Sequence, residues 1–87
     1  MAEVVDNKAH NRFELEADGE TAIAEYRIVD GAIYFTHTET PYRLQGRGIA
    51  SRLVRGAVEQ ARAQGLKVVP RCSYVADWLK KHPEFRE

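Results

Sequence analysis

Two stretches of this chain bring together side chains that could do chemistry. The first is Arg43-Leu44-Gln45-Gly46-Arg47-Gly48, two glycines and two arginines just ahead of an apolar period. Glycine lets a backbone turn sharply and approach a ligand closely. A helix that follows leaves its first N–H groups unpaired, and with the helix dipole they form an anion site. Arg43 and Arg47 add positive charge there. A Walker loop is excluded, because Ile49 follows Gly48, and a dinucleotide fingerprint is excluded, because Ser51 stands where a third glycine is needed. The plainer alternative is a turn that binds nothing. The second stretch holds the single cysteine, Cys72, after a short apolar run and before a helix start. A helix N-terminus lowers a thiol pKa and raises the thiolate fraction, and the adjacent Arg71 would act in the same direction. The plainer alternative for Cys72 is a small buried hydrophobe. His37 ends an earlier strand. A cysteine and a histidine in reach of each other generate a nucleophile suited to acyl transfer. His37 could equally be an inert residue on a strand surface.

The elements around these residues follow from periodicity. Residues 1–10 show little pattern and are expected to be a mobile end. Residues 12–17 alternate, with Phe13, Leu15 and Ala17 on one face, and Asp18-Gly19 marks a hairpin. A second strand spans 21–29, Asp30-Gly31 marks a second hairpin, and a third strand spans 32–38. Pro41 cannot continue a central strand. A helix over 46–64 is expected from the apolar stripe Ala50, Leu53, Val54, Ala57, Val58 and Ala61. Gly56 inside it is expected to allow close packing on the sheet, and Gly65 suits the C′ position. A fourth strand over 66–70 should lie parallel to the third, because a strand-helix-strand crossover is right-handed. His37 and Cys72 would then emerge near one another. Ser73 is expected to cap a last helix over 74–81, which His82-Pro83 ends. The order is β-β-β-α-β-α, an α/β (α+β) fold, mainly antiparallel with one parallel pair and a long helix after the glycine turn.

Composition narrows the function. Eighty-seven residues make a single domain, 1–87, and a chain of this size buries only about 60% of its unfolded surface. No apolar run is long enough to span a membrane, and the first residues lack a basic-then-apolar signal, so a cytoplasmic protein is expected. One cysteine permits no intrachain disulfide and no multi-cysteine metal site. His10, His37 and His82 are not spaced as metal ligands, and no metal is expected. The net charge of zero argues against a nucleic-acid binder. Charge is uneven, however: residues 1–42 hold nine acids and three bases, residues 43–71 one acid and seven bases. A polyanionic ligand would suit the basic half and a cationic substrate the acidic half. Alternatively the arginines of the long helix merely solvate its outer face.

The segment Arg43-Leu-Gln-Gly46-Arg-Gly48 fits the Q/R-x-x-G-x-G/A signature, and the chain resembles the GNAT N-acetyltransferases. With His37-Thr38-Glu39 and Cys72-Ser73-Tyr74 it is similar to the small, single-domain, cysteine-bearing branch of that family. The resemblance covers roughly residues 20–85. It implies an acetyl-CoA co-substrate with its pyrophosphate on the glycine turn. Thr38, Arg43, Leu44, Gln45 and Gly46, with Arg47, Gly48, Ile49 and Ala50, would bind it. It also implies an amine acceptor, a small molecule or a protein lysine. The acid excess before Tyr42 independently favours a cationic amine, such as a lysine side chain or a polyamine, drawn by Glu25, Glu39 and their acidic neighbours. Two routes stay open. In one, Cys72 takes the acetyl group and His37 assists as base. In the other, Glu39 deprotonates the amine for direct transfer and Tyr74 reprotonates the CoA thiolate. The rival functions are a non-catalytic acyl-CoA-binding module and an interaction domain whose basic helix binds RNA or an acidic protein. Oligomeric state is open.

Overall fold

The computed structural model describes residues 3–85. Its elements are β1 (Val5–Asn7), β2 (Arg12–Ala17), β3 (Glu20–Val29), β4 (Ala32–Glu39), α1 (Ile49–Ala63), β5 (Lys67–Pro70) and α2 (Ser73–Lys81). The strands form one sheet in the order β1-β2-β3-β4-β5. All pairs are antiparallel except β4–β5, which is parallel. The expected class and the parallel pair are present. Both Asp-Gly hairpins turn as read: Asp18 and Gly19 have φ of 51° and 76°, Asp30 and Gly31 have 50° and 78°. Positive φ at both central residues is what a two-residue hairpin with native twist requires.

One strand was not foreseen. The segment expected to be mobile forms β1, paired with β2 from Val5↔Glu14 to Asn7↔Arg12; Met1 and Ala2 lie outside the described residues. Its anchors are distant in sequence. Tyr26 Oη donates to Asp6 at 2.6 Å, and Gln60 Nε2 donates to the Val4 carbonyl at 2.7 Å. Gly56 completes the contact. A Cβ there would lie 2.5 Å from Val4 Cγ2, so this glycine admits the N-terminal arm onto α1 rather than α1 onto the sheet.

Phe13, Leu15, Ala22, Ala24, Tyr26, Ile33 and Phe35 of the sheet share one core with α1 (Leu53, Val54, Ala57, Val58, Ala61) and α2 (Val75, Trp78, Leu79). Cross-strand partners in that set, such as Phe13↔Ala24 and Tyr26↔Phe35, lie on the same face. Both helices therefore cover one face of the sheet and leave the other open. Helix α1 begins at Ile49, later than the expected 46, because Gly46 and Gly48 hold left-handed φ of 77° and 74°. Its last residue is Ala63, and Gly65 stops it: the Gly65 N–H donates to Arg62 O while Leu66 N–H donates to Ala61 O, the paired C-terminal bonds expected of a C′ glycine. Helix α2 is capped by Cys72 and not by Ser73, which is already helical.

Two features of β4 position everything that follows. Its pairing with β5 stops at Phe35↔Pro70, where the Arg71 and Cys72 N–H groups both donate to the Phe35 carbonyl at 2.9 and 2.8 Å. Beyond that point β4 runs on to Glu39 and the two strands part. On its other edge the register with β3 slips, from Tyr26↔Phe35 to Glu25↔His37. Thr36 is the extra residue of this bulge. A bulge reverses the alternation of the strand after it, so Thr38 lies opposite buried Ala24 on the helix face and His37 lies opposite Glu25 on the open face.

Candidate active site

The N-terminus of α1 opens onto a groove of about 390 Å3, lined by Thr38 and Thr40 of the β4 end, Leu44, Gln45, Gly46 and Gly48 of the turn, Ile49, Ala50 and Ser51 of α1, and Tyr74 of α2. Side chains brace its backbone. Leu44 is buried in the core, and Gln45 Nε2 donates to the Thr40 carbonyl at 3.1 Å. Gly48 is the N-cap and offers no capping side chain, and the first intrahelical bond runs from Arg52 N–H to Gly48 O at 3.1 Å. The N–H groups of Ile49, Ala50 and Ser51 are thus the unpaired donors of the first turn. A Cβ at Gly46 or Gly48 would meet nothing within 4 Å, so the turn borders open space. Unpaired donors, a positive dipole end and a bare backbone fit a diphosphate.

The two arginines expected to reinforce this site are held elsewhere. Arg47 pairs with Asp18 at 2.6 Å, and Arg43 lies 3.3 Å from Glu20 Oε2 in an ion pair that lacks hydrogen-bond geometry. Both carboxylates belong to the β2–β3 hairpin and its exit. The cradle in this conformation is made by backbone, with the guanidiniums tied to its rim.

Cys72 does not itself line the groove; it is half-buried behind Thr38, which does, with its sulfur 3.5 Å from the Thr38 hydroxyl. Burial pushes the thiol up. The Thr38 hydroxyl and the N–H groups of Val75, Tyr74 and Thr38 pull it down by more, so it titrates below the ordinary thiol range. The sulfur makes no capping hydrogen bond to α2, so those helix N–H groups act as oriented dipoles. Arg71 takes no part in this shift; its guanidinium stands 5.7 Å over the Tyr34 ring. Tyr74 reaches the groove from the first turn of α2. Its burial raises the phenol pKa, the Lys81 ammonium opposes that and the Asp77 carboxylate adds to it.

His37 does not join Cys72. It lies on the open face, its Nε2 3.5 Å from Glu39 Oε2, with side chains 53% and 70% exposed. The pairing expected of His37 and Cys72 assumed uninterrupted alternation along β4, and the Thr36 bulge removes it. Of the expected binding residues, Thr38, Leu44, Gln45, Gly46, Gly48, Ile49 and Ala50 meet in the groove, while Arg43 and Arg47 stand outside its lining. Thr40 and Ser51 were missed. Ser51 could have been found by counting three residues into the helix from Gly48. Its hydroxyl also accepts from Trp78 Nε1 at 2.9 Å, tying α2 to the site. Trp78 is core, stacked on His82 with ring centroids 3.9 Å apart, and Lys81 pairs with Asp77.

Comparison with known proteins agrees with this architecture. The family model described as GCN5-related N-acetyl-transferase matches residues 12–87. Over 57 residues the chain is 37% identical to Protein NATD1 of Gallus gallus, Mus musculus and Homo sapiens, covering 66% of this chain and 47 to 48% of those proteins. It thus spans about half the length of these relatives. A GCN5-like protein from Staphylococcus aureus, solved by NMR in solution, superposes with a TM-score of 0.66 at 29% identity, over 98% of this chain and 86% of that one. The chain belongs to the GCN5-related N-acetyltransferase family.

Proposed function

We propose that the protein transfers the acetyl group of acetyl-CoA to an amine. The observation that carries this reading is the groove itself: open helix N–H groups at one end, Thr38 and Tyr74 at the other, and the low-titrating Cys72 in contact with the Thr38 hydroxyl. The backbone of residues 46–51 would hold the pyrophosphate, and acetyl-CoA supplies the activated acyl group. Cys72 thiolate then forms a bond to the acetyl carbon as the CoA sulfur leaves. Tyr74, a phenol that is protonated at neutral pH and whose pKa partial burial raises further, gives that sulfur a proton and takes one back from solvent. On the opposite face Glu39, with His37 beside it, removes the proton of the amine. The amine attacks the acetyl carbon and Cys72 returns as thiolate. In this scheme His37 serves the amine rather than the thiol, which suits its place across the parting of β4 and β5. Direct transfer, with Glu39 as base and Tyr74 as acid, uses the same groove without the covalent step.

Mixing the protein with acetyl-CoA alone tests the covalent route. An acetyl adduct on Cys72 should form and discharge to added amine at the turnover rate. Cys72→Ala should lose transfer by about a hundredfold or more while acetyl-CoA still stabilises the fold, by about 2.7 kcal/mol at 100 times Kd. Full activity of Cys72→Ala would leave only direct transfer. Stabilisation without transfer to any amine would make the protein an acyl-CoA-binding module, and no stabilisation would overturn the reading.

A further inference from the structure

The open face of the sheet carries a second cavity, of about 340 Å3, lined by Arg27, Val29, Tyr34, Thr36 and Arg71. Arg27 and Tyr34 are cross-strand partners, and Arg71 follows the last residue of β5. Among the described residues no carboxylate is paired with Arg27 or Arg71, whereas Arg12, Arg43 and Arg47 each hold one. The chain has as many acids as bases, so this is not for want of carboxylates. Arg71 lies 5.7 Å over the Tyr34 ring, and the Thr36 hydroxyl donates to the Glu25 carbonyl at 3.4 Å. What the cavity offers is two guanidiniums without a carboxylate partner among the described residues, beside the apolar surface of Val29 and Tyr34, a combination suited to a planar anion.

The same face has the opposite sign one step along. Glu25 precedes Arg27 by two residues on β3, which places it about 7 Å away on the same face. Opposite Glu25 is His37, with Glu39 at 3.5 Å. The open face therefore presents carboxylates where β4 parts from β5 and guanidiniums about 7 Å further in. Resting on acetyl transfer at the groove, we infer that the acceptor is an aminocarboxylate. Its carboxylate lodges between Arg27 and Arg71, and its amine reaches Glu25, His37 and Glu39. A diamine would set its second charge against two arginines.

Three amines of equal length test this: 6-aminohexanoate, hexylamine and 1,6-diaminohexane. The readout is the ratio of kcat/KM for the carboxylate over the neutral amine within each variant, so that shared steps cancel. In wild type 6-aminohexanoate should be preferred by about tenfold over hexylamine, and more over the diamine, with the difference in KM. Arg27→Gln with Arg71→Gln should bring the ratio to about one, and Arg27→Lys should retain part of it. A wild-type ratio near one, or a ratio unchanged in the double variant, overturns the inference and leaves acetyl transfer standing. If no amine is acetylated, the transfer reading fails instead. Titration of 15N-labelled protein with 6-aminohexanoate then decides the cavity: shifts at Tyr34, Thr36 and Arg71 N–H that vanish in the double variant support it, and their absence in wild type overturns it.

Discussion

The two faces of the β4 strand differ more than their sequence suggests. Thr36, His37, Thr38 and Glu39 are consecutive and polar, yet Thr38 sits against Cys72 among the core residues while His37 and Glu39 stand in solvent. The helix face has neutral donors, N–H groups and hydroxyls, around a half-buried thiol. The open face has charges of both signs. A low-polarity side suits a thioester and a thiolate stabilised by dipoles, because dipoles act strongly where water is scarce. A charged, wet side suits a soluble amine that must be recruited and deprotonated. One extra strand residue, the Thr36 bulge, separates these two environments.

The sharpest way to break this comparison is to truncate each side. Phe35, 1% exposed and ringed by Phe13 and Tyr26, should lose about 3 to 5 kcal/mol as Phe35→Ala, enough to leave a domain of this size mostly unfolded at ambient temperature. His37→Ala should change stability by less than about 0.5 kcal/mol. Urea titration of both would check this. A large loss for His37→Ala would mean that the bulge does not turn His37 outward.

Gly48→Val should act next most strongly, and by strain rather than collision. The position has φ of 74° and open space around a Cβ, so the cost is the left-handed backbone, about 1 to 2 kcal/mol. The same Cβ would stand in the groove. Acetyl-CoA affinity should drop by about tenfold or more, measured by calorimetry on the folded variant. Unchanged affinity would remove the cradle from the helix face.

The parts of the molecule that local rules govern were legible in the sequence: two Asp-Gly hairpins, the apolar stripe of α1, Gly65 as its stop and the glycine turn before it. What stayed hidden depends on contacts between distant residues. Val5–Asn7 is too short to show alternation and is held by Tyr26 and Gln60. The bulge has no glycine to announce it. The acidic hairpin was visible as charge, but its pairing with Arg43 and Arg47 was not. By residue type Ser73 is the better cap, but the helix starts one position earlier, which makes Cys72 the N-cap.

Thr38→Val tests whether the hydroxyl shared by groove and thiol sets the reactivity of Cys72. The folded thiol titrates below its ordinary value. A depressed acid contributes stability that is fully present above the unfolded pKa and is lost as pH falls through the folded one. Wild type should therefore gain stability relative to Cys72→Ala as pH rises through that window. Alkylation of Cys72 by iodoacetamide should likewise have its midpoint below that of an unstructured cysteine peptide, and Thr38→Val should move the midpoint up. An unmoved midpoint would assign the shift to the backbone N–H groups of Val75, Tyr74 and Thr38.

The smallest effect expected concerns the rim of the cradle. Arg47 is bound to Asp18 at 2.6 Å, with side chains 48% and 59% exposed. An exposed pair of this kind contributes about 0 to 1 kcal/mol, so Asp18→Asn should barely alter folding; asparagine also tolerates the left-handed φ of 51° at this turn. What it releases is a guanidinium within reach of the groove mouth. A freed Arg47 can turn toward a diphosphate held by the helix N–H groups, and acetyl-CoA should bind about two- to fivefold more tightly, with the gain shrinking as salt screens it. Arg47→Ala in the same background should abolish the gain. If Asp18→Asn leaves affinity unchanged, the backbone alone serves the anion and Arg47 belongs to the hairpin. If affinity falls, the ion pair itself orders the turn, and Asp18 acts on the cradle through Arg47 as a positioning residue.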